Sequence, residues 1–182
     1  IYIQLENYEK AYNSFNKVIR MNPEYELLFN ALLSRARAFD PKYNDSSKLV
    51  AEINKMLKDD KNNDYKDQIY FALAEIALKE GLKNQAINHL LSATENNNGN
   101  EQQQSMAHLT LADLYFNDAT YLSAQVHYDT ALTFLNQNHP EFKFLSKKRE
   151  SLNELVSLYN TITLQDSLYN LSSLGEEELN NL

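Results

Sequence analysis

The sequence predicts an all-α protein made of antiparallel helical hairpins stacked into a superhelix. Three observations support this fold class. Only three prolines and three glycines interrupt the 182 residues, and apolar residues recur at three- and four-residue spacing almost throughout. A set of small and apolar residues also repeats along the chain. No segment shows the alternation of a β-strand between two turns, so we expect helices and no sheet.

Seven polar or proline-containing segments separate the predicted helices. Proline, glycine, asparagine and aspartate are the residues that most often end helices or form turns. The segments are MNPE at 21–24, FDPKYNDSS at 39–47, KDDKNND at 58–64, KEG at 79–81, ENNNGNEQQQ at 95–104, FND at 116–118 and NQNHPE at 136–141. The periodic stretches between them predict helices of about one to two dozen residues.

One pattern of residues occurs twice with the same internal spacing. In each copy a first helix carries four regularly spaced positions, and a second helix carries three more, beginning with an alanine. The first copy has Tyr70, Leu73, Ala74, Ala77, Ala86, Leu90 and Ala93, and the second has His108, Leu111, Ala112, Tyr115, Ala124, Tyr128 and Ala131. The second half of the pattern also fits Tyr2, Ala11, Phe15, Val18 and Pro23. The chain is therefore expected to start midway through a first repeat.

Alanine at the repeated positions has a packing reason. Two helices approach to roughly 8–10 Å only where the side chains at their crossing are small. We therefore predict that Ala74 contacts Ala86, and that Ala112 contacts Ala124. Leucine at these positions would push the two helices of a hairpin apart.

Each hairpin also needs a turn that ends its first helix. Gly81 is predicted to adopt the left-handed conformation that stops a helix, because glycine has no side chain to oppose it. Asn117 with Asp118, and Asn7, are expected to serve the equivalent turns of the other hairpins.

The remaining segments complete the predicted domain organisation. Residues 1–163 are expected to form a helical repeat domain of about four hairpins, the first incomplete, which includes a terminal capping helix near 141–163. The second hairpin is degenerate, with apolar positions at Phe29, Leu32, Leu33, Ala36, Leu49, Val50, Ile53 and Leu57. The terminal helix carries one stripe of Leu145, Leu152, Leu155, Val156, Tyr159 and Ile162. Residues 164–182 are predicted to be a loosely packed helical tail.

These positions together resemble the tetratricopeptide repeat. Its pattern is an aromatic residue, leucine, a small residue and tyrosine on one helix, then a small and an aromatic residue on the next, then proline, over about 34 residues. The distance from Ala86 to Ala124 is longer, 38 residues, because ENNNGNEQQQ extends the loop between the hairpins. The resemblance implies a tetratricopeptide-type superhelix that binds other proteins.

Composition and charge exclude several classes of function. The chain has 25 Asp and Glu against 17 Lys and Arg, and the formal charge of −8 argues against nucleic acid and anionic membrane surfaces as partners. It has no cysteine, its glycines are isolated, and its four histidines form no pair at metal-ligand spacing. We therefore predict a protein that is not an enzyme and has no catalytic residues, no cofactor and no metal site.

The predicted functional surface is a protein-binding groove. In stacked helical hairpins the first helices line the concave face, and residues beside the packing positions point into it. The candidate groove residues are Asn30, Ser34, Arg37, Gln68, Phe71, Glu75, Lys79, Leu109, Asp113 and Asn117. Phe71 and Leu109 are expected to anchor an apolar side chain, and the charged residues to orient it, which suits a peptide or helix. A basic cluster, KKR at 147–149, is expected on the outer face of the terminal helix.

Three stretches resemble one family of repeat proteins. They are NKMLKDDKNNDYKDQIYFALAEIALKEG, AHLTLADLYFNDATYLSAQVHYDTAL and NTITLQDSLYNL. They are similar to the tetratricopeptide lipoproteins of the Bacteroidota that belong to the type IX secretion and gliding-motility machinery. The resemblance implies a scaffold on the periplasmic face of the outer membrane, with secretion-machinery subunits as partners and no catalytic residues. The anchoring cysteine is expected upstream of this segment, which itself inserts in no membrane.

Two other functions stay open at this point. The first is a peptide-binding, co-chaperone-like repeat module, which a ring of Lys and Arg along the groove would favour; only Arg37 and Lys79 qualify. The second is an accessory domain of an enzyme whose catalytic part lies outside this segment. A cytoplasmic location is also compatible with the sequence, and the oligomeric state is not predicted.

Overall fold

The computed structural model of the chain describes residues 2–173, and α-helices make up most of this range. The α-helices are α1 (Tyr8–Arg20), α2 (Tyr25–Arg37), α3 (Ser46–Leu57), α4 (Lys66–Lys79), α5 (Lys83–Glu95), α6 (Glu101–Asn117), α7 (Tyr121–Phe134) and α8 (Phe142–Ser172). A 3-10 helix at Asp60–Tyr65 lies between α3 and α4. No β-strand occurs among the described residues, so the predicted all-α class is confirmed.

The chain divides into two compact units, Ile1–Leu111 (unit 1) and Ala112–Leu182 (unit 2). The division falls within α6, so unit 1 contains α1 to α5 and unit 2 contains α7 and α8. The helix α8 is continuous across residue 163, the predicted end of the repeat domain. The predicted domain division therefore stays a prediction, and residues 174–182 of the predicted tail at 164–182 lie outside the described residues.

One backbone turn recurs immediately before α1, α5 and α7. Glu6, Gly81 and Ala119 occupy the same place in it, with positive φ angles of 55°, 75° and 56°. In each turn the amide of this residue donates to the carbonyl three residues earlier, and the next amide donates to the carbonyl five residues earlier, at 2.8 to 3.0 Å. This pair of hydrogen bonds is typical of a helix end with a left-handed residue. The same turn thus precedes three of the helices.

The residue that adopts the left-handed conformation was predicted correctly only at Gly81. Asn117 and Asp118 were expected in that role in the later hairpin, but Ala119 has the positive φ. The prediction relied on the fact that asparagine and aspartate tolerate this conformation better than alanine. It failed because the flanking helices set the register of the turn and thereby decide which residue adopts the positive φ.

Asn7 has a different role from the one expected of it. The left-handed residue of the first turn is Glu6, and Asn7 follows it as the cap of α1. The Asn7 side-chain oxygen accepts a hydrogen bond from the Lys10 amide at 3.2 Å. A capping side chain of this kind satisfies an amide that has no partner inside the helix.

Exchanging the residues at two of these equivalent positions should change stability in opposite directions. Gly81→Ala should lower the free energy of unfolding by about 1 to 2 kcal/mol, since the left-handed conformation costs this much for a residue with a Cβ. No atom lies within 4 Å of a Cβ built on Gly81, so the cost is one of conformation. Ala119→Gly relieves the same strain and should raise stability by up to about 1 kcal/mol. Urea denaturation followed by circular dichroism measures both; equal signs would contradict a shared turn.

The repeated alanines are buried, as their role at helix crossings requires. Ala11, Ala86 and Ala124 each lie five residues after the left-handed residue of the turn, and Ala86 and Ala124 are 0% exposed. Their expected counterparts Ala74 and Ala112 are also 0% exposed. α4 packs directly against α5, so Ala74 and Ala86 belong to one tightly packed hairpin.

The core of unit 1 joins α2, α3 and α4. The residues predicted for the second hairpin lie on α2 and α3 as expected. The buried members of this core are Phe29, Leu33, Ala36, Phe39, Leu49, Ile53, Met56, Ile69, Ala72, Leu73 and Ile76. Leu32, Val50 and Leu57 pack against it while remaining partly exposed. Burial of this apolar surface holds the degenerate hairpin in place.

The 3-10 helix between α3 and α4 was not predicted. It is fixed by Asn62, which is buried and donates a hydrogen bond from its amide to the Met56 carbonyl at 2.9 Å. The Asn62 side-chain oxygen accepts a hydrogen bond from the Tyr25 hydroxyl at the start of α2. A buried amide with both ends paired specifies one arrangement of this connection.

The terminal helix α8 packs against α7 over only its first half. Leu145, Leu152 and Val156 are buried there, as the predicted stripe requires. Leu155, Tyr159 and Ile162 were placed on the same stripe and are exposed instead. From Ser157 to Ser173 every residue is exposed. None of the helices within residues 2–173 combines the length and the apolar character needed to span a membrane.

Candidate functional site

Three of the predicted groove residues line one pocket of unit 1. Phe71, Glu75 and Lys79 project from successive turns of α4. The lining is completed by Ala74, Leu78, Leu90 and Thr110. The volume is about 270 Å³, which is below the roughly 300 to 1,000 Å³ typical of small-molecule sites. The pocket therefore suits a single apolar side chain better than a whole ligand.

Phe71 is less accessible than the sequence suggests. Its side chain is only 5% exposed, so it forms an inner wall of the pocket and not a projecting anchor. The adjacent Leu78, which was not among the predicted residues, is half-buried and lines the same pocket. An apolar group that reached this pocket would contact both side chains.

Charged residues join α4 to α2 beside this pocket. The Arg37 Nε lies 3.5 Å from a Glu75 carboxylate oxygen. The Lys79 ammonium donates a hydrogen bond to the backbone carbonyl of Arg37, which is the last residue of α2. A cation at a helix C-terminus stabilises the carbonyls that lack intrahelical partners. The same ammonium lies 5.1 Å from the centre of the Tyr8 ring.

Both ends of this network are partly dehydrated. Burial raises the pKa of Glu75, although the nearby Arg37 and Lys79 act in the opposite direction. Burial also lowers the pKa of Lys79, against the effect of Glu75 and Asp40. Charges in such surroundings interact more strongly with one another, and with a bound polar group, than charges on a fully hydrated surface.

The other predicted groove residues of unit 1 do not line this pocket. Asn30 is exposed and borders a separate depression together with Glu24, Glu26 and Leu27. Ser34, Gln68 and Leu109 are half-buried. The structure thus brings together the α4 portion of the predicted site with Arg37, and the binding role of the remaining residues stays a prediction.

In unit 2, the predicted groove residue Asp113 is hydrogen-bonded to side chains of neighbouring helices. Its carboxylate accepts a hydrogen bond from the Lys148 ammonium of α8 at 2.7 Å and another from the Tyr128 hydroxyl of α7. Asn117, the last residue of α6, is exposed. Burial, followed by the hydrogen bond to Asp113, raises the pKa of Tyr128 to about 12, so this hydroxyl stays protonated at neutral pH. Asp113 therefore links the last part of α6 to α7 and α8.

The basic cluster at 147–149 is not wholly on the outer face of α8. Lys148 turns towards Asp113, and Arg149 lies 3.7 Å from the Asp129 carboxylate of α7. Burial disfavours the charged Lys148, but hydrogen bonds to Asp113 and Tyr128 outweigh it, so the Lys148 pKa is raised. Only Lys147 of the three is exposed, and the other two are half-buried. The prediction failed because helix periodicity alone does not show which long side chains reach a neighbouring helix.

Sequence reasoning missed a buried arginine in unit 1. Arg35 donates a hydrogen bond to the Asn16 side-chain oxygen at 2.9 Å and pairs with the Glu52 carboxylate. It also lies over the Tyr12 ring. Arg35 thereby connects α1, α2 and α3 through a guanidinium that is itself buried, although Glu52 is exposed. Its position next to Ala36, on the inner side of α2, could have indicated from the sequence that Arg35 is buried.

A second pocket of unit 1 lies beside this arginine network. It has a volume of about 360 Å³ and an apolar lining with charged residues at its border. The lining residues are Ile19, Tyr25, Leu28, Phe29, Leu32, Glu52, Lys55, Met56, Asp59 and Asn62. None of them belongs to the predicted groove.

Two of the four histidines stack on tyrosine rings. His89 and His127 stand at equivalent positions, eight residues after the left-handed residue of their turns, and stack on Tyr70 and Tyr115 with ring centres 6.4 and 5.4 Å apart. Burial lowers the pKa of His89, which favours the neutral imidazole. Within residues 2–173 no group of three or more acidic, histidine or cysteine side chains is arranged to hold a metal ion.

Comparison with known proteins identifies the type of repeat. Residues 1–25 match a family described as Tetratricopeptide repeat. No curated protein matches the chain. The matched segment contains α1 and its preceding turn, and the same turn precedes α5 and α7. Together with the all-helical structure, this match confirms the predicted tetratricopeptide-type fold.

Proposed function

We propose that this tetratricopeptide-repeat protein is a non-catalytic scaffold that binds other proteins through the α4 pocket of unit 1. Tetratricopeptide repeats generally mediate protein–protein interactions and are typically non-catalytic. The observation that carries the proposal is the pocket itself, where Phe71 and Leu78 form an apolar lining beside Glu75 and Lys79. An apolar hole bordered by fixed charges is a common feature of interface hot spots.

The partner we propose presents one apolar side chain next to polar groups. The apolar side chain would enter the pocket, and the polar groups would meet Glu75 and Lys79 at its border. Capture of a chain terminus, the co-chaperone alternative, is disfavoured by the internal partners of the basic residues. Arg37 faces Glu75, and Lys79 is bonded to the Arg37 carbonyl, so a terminal carboxylate would have to compete with these partners.

We further propose that the partners are subunits of the type IX secretion and gliding-motility machinery. The support is the resemblance of the three stretches described above to the repeat lipoproteins of that machinery. A scaffold of this kind would act at the periplasmic face of the outer membrane. Its acidic character, with a net charge of −8, is compatible with that place and gives no affinity for anionic lipid heads.

The proposal is tested by cross-linking in a bacterium that carries this protein and a type IX secretion system. The tagged protein is expressed from its own locus, cells are cross-linked, and cross-linked peptides are identified by mass spectrometry. We expect links from unit 1 to secretion subunits, and we expect Leu78→Arg to reduce their recovery at least tenfold, since the new side chain fills the pocket with charge.

Leu122→Arg is the matched control, because Leu122 is exposed on α7 and lies in unit 2. It should leave the cross-links unchanged, and circular dichroism should show that both variants keep the helical fold. Links to proteins of another compartment would refute the secretion role. Secretion partners that remain bound to Leu78→Arg would refute the α4 pocket while leaving the scaffold role intact.

A further inference from the structure

One side of α8 carries apolar side chains that the described part of the chain leaves uncovered. Phe144, Tyr159 and Tyr169 are 67%, 61% and 75% exposed, and Leu155 and Ile162 are exposed as well. These five residues share one side of the helix, because their spacings correspond to whole numbers of turns. Single exposed apolar residues are ordinary, whereas a continuous stripe of them indicates an interface.

Three polar residues, Lys148, Ser151 and Asp166, fill the remaining places of this stripe. We call the set the α8 stripe: Phe144, Lys148, Ser151, Leu155, Tyr159, Ile162, Asp166 and Tyr169. Its successive spacings are three or four residues throughout. The order of these spacings is nearly the same when it is read from either end of the stripe. In a symmetric pair of antiparallel helices, residues at equal distances from the centre face one another.

We propose that two copies of this chain associate through their α8 stripes, packed antiparallel. The pairing places Lys148 opposite Asp166 of the second copy, so that opposite charges meet at both ends of the contact. Between them, Leu155 faces Tyr159, and Ser151 lies opposite Ile162 to within one residue. A parallel pairing would instead set Lys148 against Lys148 and Asp166 against Asp166, which like-charge repulsion disfavours.

The charges on the stripe are available for this contact. Asp166 is exposed and has no ion-pair partner within residues 2–173. Lys148 donates to Asp113 and remains about one-third exposed. An ammonium has three hydrogen-bond donors, so Lys148 can keep its bonds to Asp113 and Tyr128 and donate to a second carboxylate.

The two halves of the stripe also differ in shape. Its first half borders a pocket of about 510 Å³ in unit 2, lined by Phe116, Phe144, Lys147, Lys148, Ser151, Leu152 and Leu155. Ser151 is the small residue of this lining, and it leaves space at the position where Ile162 of the second copy arrives. The second half offers the large exposed side chains Ile162 and Tyr169. Under twofold symmetry, Ile162 of each copy enters the pocket of the other copy, as side chains do in interlocking helix pairs.

Light scattering coupled to size-exclusion chromatography tests the association. The purified 182-residue chain at about 100 μM should elute as a dimer. Ile162→Glu should shift it to a monomer, because it places two carboxylates inside the contact. Leu164→Glu is the matched control, since Leu164 is 60% exposed on the opposite side of the same helix. Both substitutions are at exposed positions, and unchanged circular dichroism confirms that each variant folds.

Disulfide trapping tests whether the two α8 helices are antiparallel. Because the chain has no native cysteine, only the introduced cysteines can form disulfides. The double variant Ser151→Cys with Ile162→Cys should form a covalent dimer whose cross-linked peptides join position 151 of one copy to position 162 of the other. The two positions of a single helix are about 16 Å apart, too far for an internal disulfide. Single variants should form little dimer, whereas a parallel pair would link each position to itself.

Three results would overturn the proposal. The first is a wild-type monomer at the stated concentration, which would assign the stripe to another segment or another protein. The second is a dimer that survives Ile162→Glu or is lost in Leu164→Glu, which would place the contact on another face. The third is a set of disulfides joining like positions, which would show a parallel pair.

Discussion

Tyr128→Ala should lower the free energy of unfolding by about 3 to 5 kcal/mol, the largest single-residue effect we expect in this chain. Tyr128 is the largest of the fully buried side chains and is 0% exposed. Its removal from α7 leaves a cavity beside Asp113, whose carboxylate loses one hydrogen-bond donor. Urea denaturation followed by circular dichroism measures the change.

Tyr128→Phe separates packing from hydrogen bonding at this position. The ring remains and only the hydroxyl is lost, so we expect a cost of about 0.5 to 1.5 kcal/mol. Asp113 keeps its hydrogen bond from the Lys148 ammonium and is partly exposed to water, so we expect a cost near the lower end of this range. If Tyr128→Phe destabilised as much as Tyr128→Ala, the hydrogen bond and not the ring would hold α7 in unit 2.

The sequence predicted the features that depend on local spacing. Ala86 and Ala124 are buried where the repeated pattern places them, and Gly81 adopts the left-handed turn. Such features are readable because burial follows helix periodicity and because glycine is the residue that best tolerates a positive φ. At Ala119 the same turn is made without glycine, and no local signal marks it.

Features that depend on contacts between distant residues were not predictable from spacing. Arg35 looks like an ordinary charged residue, yet it is buried between Asn16 and Glu52. Asn62 looks like a loop residue, yet it fixes the connection between α3 and α4. Each depends on side chains that meet only after the helices have packed, which a one-dimensional pattern does not specify.

The candidate site was predicted in part for the same reason. The α4 positions Phe71, Glu75 and Lys79 share a face because they are spaced by single turns. Their environment was not predictable, since the burial of Phe71 and the pairing of Glu75 with Arg37 depend on how neighbouring helices pack. The charged residues of the predicted groove are therefore partly structural.

Ala86→Leu should lower the free energy of unfolding by about 1 to 3 kcal/mol. Ala86 is 0% exposed on α5, which packs directly against α4. Three further carbon atoms at this position must displace α4 or force strained side-chain conformations, because protein interiors have no spare volume. The alanines matter for their small size, since leucine is the more hydrophobic residue and would stabilise a loosely packed site.

The most direct measurement is a comparison of Ala86→Leu with Ala51→Leu in urea denaturation. Ala51 is exposed on α3, so the identical substitution there should change stability by no more than about 0.5 kcal/mol. If paired helices pack closely at small side chains, Ala86→Leu is strongly destabilising and Ala51→Leu is not. Ala124→Leu should then behave like Ala86→Leu. Equal stability of Ala86→Leu and Ala51→Leu would contradict close packing of the hairpins at their alanines.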